Sequence, residues 1–173
     1  MSLYFTYASN MLRERLLMNN ISLAFVTIGK LANYRLRFAE HPKWPAELTW
    51  KGAMATIDQS KGDSVWGVVL KINKADLPLL YEQETVNKGF YRRLDPVTIT
   101  SPGPVPEDLR CFTLQMVDPI FGKKPSPHYL KVILAGARQK CLPDDYQKSL
   151  ADVEHNGYDG PLPLFDEIMK NVH

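Results

Sequence analysis

The chain is poor in cysteine: Cys111 and Cys141 are the only two in 173 residues. Two thiols cannot build the disulfide framework of a small secreted domain, and they fit a reducing cytoplasm. Excess charge is also lacking. The 21 Lys and Arg nearly balance the 19 Asp and Glu, for a formal net charge of +2. The basic residues are spread along the chain rather than gathered on a stripe, which argues against a nucleic-acid partner. No apolar run approaches the roughly 20 residues of a membrane span. The N-terminus runs straight into SLYFTY (2–7), without the basic and small-residue flanks of a signal peptide. Ser2 stands where myristoylation needs glycine, and the final residues form no prenylation box. His41, His128, His155 and His173 are too scattered for metal-ligand spacing, and no glycine-rich phosphate loop is present. The expectation is therefore no metal, no cofactor and no membrane.

The remaining composition, 45% hydrophobic and 23% charged, is that of an ordinary globular protein with one buried core. β-rich runs dominate the first two-thirds: 2–7, 22–32, 34–39, 52–57, 64–72, 90–100 and 109–117. HPKWP, SKGD and SPGPVPED punctuate them. Helical patterns fall at 11–19 and 74–84, then at 127–141, 143–156 and 164–172, with Pro143, Asp144, Asp145 and Pro161 near helix starts. No repeat or low-complexity tract divides the chain. The pattern predicts one α+β domain over 1–173, a mixed sheet curled toward a barrel with helices outside.

Two stretches carry candidate chemistry. In the helix at 74–84, Asn73 is a plausible N-cap and Asp76 lies in the first turn. Leu77, Leu80 and Tyr81 form a stripe that reaches position 84. The stripe turns Glu84 inward and leaves Glu82 facing water, with Pro78 loosening the turn. A carboxylate facing a core needs a partner, and one moved out of water holds its proton more tightly, which suits general acid–base work. The bland reading is a buried glutamate satisfied by an arginine or by backbone N–H groups.

The second stretch is YFTYASNMLRERLL (4–17), a strand, a short polar loop and a helix. Free N–H groups gather at such a junction and favour an anion, a substrate carboxylate or a developing oxyanion. Ser9 and Asn10 are natural caps, and an ordinary capped helix start is the bland alternative. Ser9 has no evident histidine partner, so a serine nucleophile is not expected. Cys111 reads as core. Tyr4, Tyr7, Tyr91 and Tyr129 are candidates for lining a pocket.

Taken together, YASN (Tyr7–Asn10) and EQETV (Glu82–Val86) resemble the γ-glutamylcyclotransferase family of animals. There a Y-G-S-N loop follows the first strand, and E-Q-E-G-V carries the catalytic glutamate at its second Glu. The resemblance continues through 52–77, KGFY (88–91) and PSPHYLKVILAGA (125–137). It implies a small mixed barrel flanked by helices and release of an amino acid from a γ-glutamyl amino acid or dipeptide with closure of 5-oxoproline. It implies no cofactor, a cytoplasmic enzyme of the γ-glutamyl cycle and a homodimer. Glu84 matches the catalytic glutamate. Tyr4, Phe5, Thr6, Tyr7, Ala8, Ser9 and Asn10 are the implied substrate-binding residues, and Tyr91 and Tyr129 join them as candidate positioning groups.

Two positions depart from the family pattern. Ala8 replaces the loop glycine, and Thr85 replaces the glycine after the catalytic glutamate. Glycine serves where φ is positive or where a ligand approaches the backbone, so strain or a blocked approach is expected at both. A diverged relative that binds a γ-glutamyl-type ligand or a protein, with weak or no turnover, is the alternative reading.

Overall fold

The computed structural model describes residues 2–44 and 49–173. Five strands close into a barrel in the order β1-β3-β2-β4-β5. They are β1 (Ser2–Thr6), β2 (Leu23–Ala39), β3 (Met54–Ile72), β4 (Tyr91–Thr100) and β5 (Asp108–Met116). Neighbours run antiparallel except β1 and β5, which meet in parallel at Tyr4 and Phe112. Two seams of the closed barrel rest on one paired position each, Lys30 with Thr100 between β2 and β4 and Tyr4 with Phe112 between β1 and β5. Five helices flank the barrel: α1 (Arg13–Leu17), α2 (Leu77–Gln83), α3 (Pro127–Gln139), α4 (Asp144–Ala151) and α5 (Pro163–Met169). The α+β barrel expectation holds. Among the described residues no helix is long and apolar enough to cross a membrane.

Several boundaries differ from the sequence pattern. The runs at 22–32 and 34–39 form one strand, as do 52–57 and 64–72. Ala32 pairs with Ser64 and Tyr34 with Gln59, so Ser60–Asp63 bulge out opposite Asn33. Asn33 takes φ +63° and its Oδ1 accepts a 3.1 Å bond from Gly62 N. The glycine thus marks a bulge rather than a strand end. In β4, Pro96 falls at another register shift, between Leu94 and Val97, where its missing N–H breaks no ladder bond.

The helix expected at 11–19 is split. A single 3₁₀ turn, Ser9–Met11, precedes an extended Leu12, and only then does α1 begin. Neither Ser9 nor Asn10 caps it through its side chain, a correction to the cap assignment. The second helix also restarts: a 3₁₀ turn at Lys74–Asp76 gives way to α2, placing Pro78 in the first α-helical turn, where its ring is tolerated. Asn73 makes no side-chain cap there either. The last two helices are shorter than their patterns. α4 stops at Ala151, and Asn156 instead bonds Pro125 O through its N–H (2.9 Å) and Lys51 O through its amide (2.7 Å).

Close backbone approach fixes the first loop from two sides. A Cβ on Gly136 of α3 would lie 2.6 Å from Leu12 N, and one on Gly67 of β3 would lie 2.4 Å from Thr6 O. Only glycine allows both contacts. The buried apolar side chains form one cluster running through the barrel strands, the loop and the helices.

Candidate functional site

The inward stripe of α2 is as expected. Leu80 is fully buried, which stabilises by roughly 1.5–3 kcal/mol and anchors the helix face. One turn later Glu84 is half-buried while Glu82 is exposed. Glu84 is the residue on which α2 ends, and its N–H still bonds Leu80 O at 2.9 Å. Its carboxylate thus leaves the helix end toward the loop after β1.

There the side chains of Asn10 and Gln83 meet it. Asn10 Nδ2 and Gln83 Nε2 each donate to Glu84 Oε1 at 2.8 Å. Gln83 Nε2 also donates to Asn10 Oδ1 at 2.8 Å, and Asn19 Nδ2 holds Gln83 Oε1 at 2.7 Å. Asn10 Nδ2 reaches the Tyr4 hydroxyl at 3.2 Å as well. Two amide donors therefore fix Oε1, and among the described residues no side chain donates to Oε2. The amide that sequence assigned to capping is committed to this network instead.

Glu84 borders two adjoining cavities. One has about 320 Å³ of empty space, counting its mouth, and is lined by Tyr4, Thr6, Tyr7, Ala8, Ser9 and Asn10 from one side and Tyr91, Tyr129, Ala55 and Leu114 from the other. The second, about 330 Å³, shares Ser9, Glu84, Tyr91 and Tyr129 and adds Arg15, Trp44, Trp50 and Met54 among its walls. Among the described residues neither cavity has a histidine or cysteine in its lining.

The four tyrosines of the first cavity are buried and fall into two kinds. Tyr7 donates its hydroxyl proton to Leu114 O, and Tyr91 donates to Ala55 O at 2.7 Å. Tyr129 instead accepts from Ala55 N at 3.0 Å, and Tyr4 accepts from Asn10. Tyr4 and Tyr129 thus keep a hydroxyl proton to offer, while Tyr7 and Tyr91 have spent theirs on backbone. Burial first, and then the Glu84 charge, pushes the Tyr4 hydroxyl far above its ordinary range. Burial likewise raises Tyr7, Tyr91 and Tyr129. All four stay neutral hydrogen-bonding groups at ordinary pH.

Of the residues implied by the resemblance, all but one line this cavity together with Glu84. Phe5 does not: the pleat turns it away from Tyr4 and Thr6, and its ring edge sits where a Gly67 Cβ would be, 2.7 Å away.

Comparison with known proteins agrees with this geometry. The chain is 40% identical over 160 residues to γ-glutamylcyclotransferase of Bos taurus and, equally, of Homo sapiens, covering 92% of this chain and 82% of each relative. The chain belongs to the γ-glutamylcyclotransferase family. A solved structure of a γ-glutamyl cyclotransferase superposes with a TM-score of 0.89 at 37% identity, covering 98% of both chains. The AIG2-like family model matches residues 64–150, which run from the middle of β3 into α4.

Within this γ-glutamylcyclotransferase-family chain the two departures separate. Ala8 has φ −132°, outside the left-handed region, so its methyl group meets no positive-φ penalty. Its side chain does line the first cavity. Thr85 has φ +57° and sits just past the end of α2, the left-handed helix-end position that favours glycine. It is buried, and its hydroxyl donates to Glu84 O at 2.6 Å. The left-handed backbone angle that favours glycine is therefore at 85 and not at 8.

Sequence reasoning missed Gln83, Arg15 and Trp50. The signal for Arg15 was present: Leu12, Arg15 and Leu16 repeat at i, i+3, i+4, the same stripe rule that selected Glu84. Arg15 is 7% exposed, and burial lowers the pKa of its guanidinium against the opposing charge of Glu84.

Proposed function

We propose that this chain is a cytoplasmic γ-glutamylcyclotransferase that converts γ-glutamyl amino acids to 5-oxoproline and the free amino acid, with Glu84 as the proton carrier. One observation carries the reading: a half-buried carboxylate, held among the described residues through Oε1 alone, borders a small cavity whose described lining residues include no His-paired serine and no thiol. Such a site suits a substrate that brings its own nucleophile. The substrate's α-amine attacks its γ-carbonyl, and ring closure supplies the effective concentration.

The proton balance then assigns Glu84 its work. The α-ammonium enters with three hydrogens and ends as a lactam N–H, so two protons leave it. The leaving nitrogen starts as an amide N–H and departs as an ammonium, so it gains two. The bond from the α-nitrogen to the γ-carbon forms, and the bond from the γ-carbon to the leaving nitrogen breaks. Glu84 Oε2 takes protons from the first nitrogen and delivers them to the second. Tyr4 and Tyr129, with hydroxyl protons uncommitted, are the side chains available to the carbonyl oxygen as it gains charge. In the loop the first helical bond is Met11 N to Ala8 O, so the Ser9 and Asn10 N–H groups precede the ladder and are available to the substrate.

The cytoplasmic placement is supported by two free thiols, Cys111 buried and Cys141 exposed. A single domain over 1–173, a homodimer and the absence of nucleic-acid or membrane partners belong to the same proposal. Incubation with γ-glutamyl-alanine tests it: 5-oxoproline and alanine should form in equal amounts. Binding of the dipeptide without either product would favour the diverged, non-catalytic reading.

A further inference from the structure

Arg15 takes no part in the chemistry described above, yet its burial is costly. It stands on the α1 face that buries Leu16 completely, and 93% of it is withdrawn from solvent, leaving 7% exposed. Its Nε is buried with no hydrogen-bond partner among the described residues. It joins none of the ion pairs formed among them. The Trp50 ring, 5.9 Å from Cζ, is a weak and distant compensation. A buried, unpaired cation destabilises a fold, and a hydrophobic side chain of similar volume would be tolerated better. A guanidinium in that state is arranged to receive an anion, because its fork matches a carboxylate in two parallel bonds.

The anion's place follows from the two cavities. Arg15 lines the second, with Trp44, Trp50 and Met54, and Glu84 stands on the boundary with the first. Among the described residues no cationic side chain lines the first cavity. If the glutamyl part folds into a ring there, the leaving nitrogen must also meet Glu84. Whatever that nitrogen carries continues past Glu84 into the second cavity. In a γ-glutamyl amino acid it carries one carbon bearing a side chain and a carboxylate.

We infer that Arg15 binds the carboxylate of the leaving amino acid, while Trp44, Trp50 and Met54 receive its side chain. Arg15 is then the specificity residue that separates γ-glutamyl amino acids from γ-glutamyl amines. This rests on the proposed function, so the test is a binding measurement that needs no turnover.

The probes are γ-glutamyl-alanine and γ-glutamyl-ethylamide, which differ only by the carboxylate. Calorimetric binding is measured in the Glu84→Gln background, with and without Arg15→Gln. With Arg15 present, the alanine compound should bind about 10–100-fold more tightly, the range of one charge-assisted hydrogen-bonded contact. Arg15→Gln should erase the difference by weakening the alanine compound alone. Arg15→Lys, which keeps charge but not the fork, should restore part of it. Arg15→Met should melt at the same or a higher temperature, since no partner among the described residues is lost in the free protein. Equal binding of the two probes with Arg15 present, binding of neither, or equal weakening of both on substitution would overturn the inference. Failure of the wild-type protein to form 5-oxoproline would instead count against the proposed reaction and leave the binding comparison intact.

Discussion

Asn10 and Glu84, 74 residues apart in the chain, are joined by a 2.8 Å hydrogen bond from Nδ2 to Oε1. It ties the loop after β1 to the end of α2. The same Asn10 amide reaches Tyr4, so one side chain sets both the carboxylate and a cavity hydroxyl. Glu84 Oε1 is thereby held while the residue lines both cavities. Asn10→Ala should free the carboxylate. A hydrogen bond to a charged group is worth about 1.5–3 kcal/mol, so kcat/KM should fall about 10–100-fold while the protein still melts cooperatively. Steady-state kinetics beside a melting curve checks this, and unchanged kcat/KM would mean that the bond does not position Glu84.

Thr85 should invert the ordinary order of glycine and alanine. In a helix interior glycine is less stable than alanine by about 1 kcal/mol. At φ +57° alanine retains the left-handed penalty and glycine does not. Thr85→Gly should therefore be more stable than Thr85→Ala by about 1 kcal/mol in urea unfolding. Both lose the same hydroxyl, so the comparison isolates the backbone. Thr85→Ala being the more stable of the two would show that the helix end does not require the left-handed angle.

The buried tyrosines predict alkaline instability. Tyr4, Tyr7, Tyr91 and Tyr129, and the half-buried Tyr146 whose hydroxyl is buried, all have hydroxyls raised by burial above the ordinary tyrosine range. Above about pH 10 the unfolded chain loses these protons while the folded chain keeps them. The unfolded state then binds fewer protons, so stability is full below about pH 10 and falls as pH rises beyond it. A tyrosine absorbance titration should show these five ionising only as the fold is lost. Ionisation of all five with native circular dichroism retained would contradict their burial.

Much of this site was legible because periodicity reports direction. The stripe Leu77, Leu80, Tyr81 assigned Glu84 inward and Glu82 outward, and it survived the restart of the helix at Leu77, since Leu80, Tyr81 and Glu84 all follow that point. The barrel was legible from alternating runs, but its bends were not. Gly62 and Asn33 look like turn residues in isolation, and only their pairing across two strands makes them a bulge. The cap at Asn10 failed because local propensity cannot see a competing acceptor 74 residues away. Phe5 was grouped with its neighbours by motif, although strand alternation already separates it from Tyr4 and Thr6. Arg15 was readable from its stripe, whereas its lack of a partner emerged only when the helix was packed.

The central claim is that Glu84, and not its neighbour two residues earlier, moves the protons. Initial rates of 5-oxoproline formation from γ-glutamyl-alanine by Glu84→Gln and Glu82→Gln, set against wild type, test it most directly. Glu84→Gln should keep the fold and bind substrate, yet lose about 10²–10⁴-fold in kcat, the usual contribution of a general acid–base. Glu82→Gln, at an exposed position, should stay near wild type. Equal losses in the two variants, or full activity in Glu84→Gln, would contradict the account.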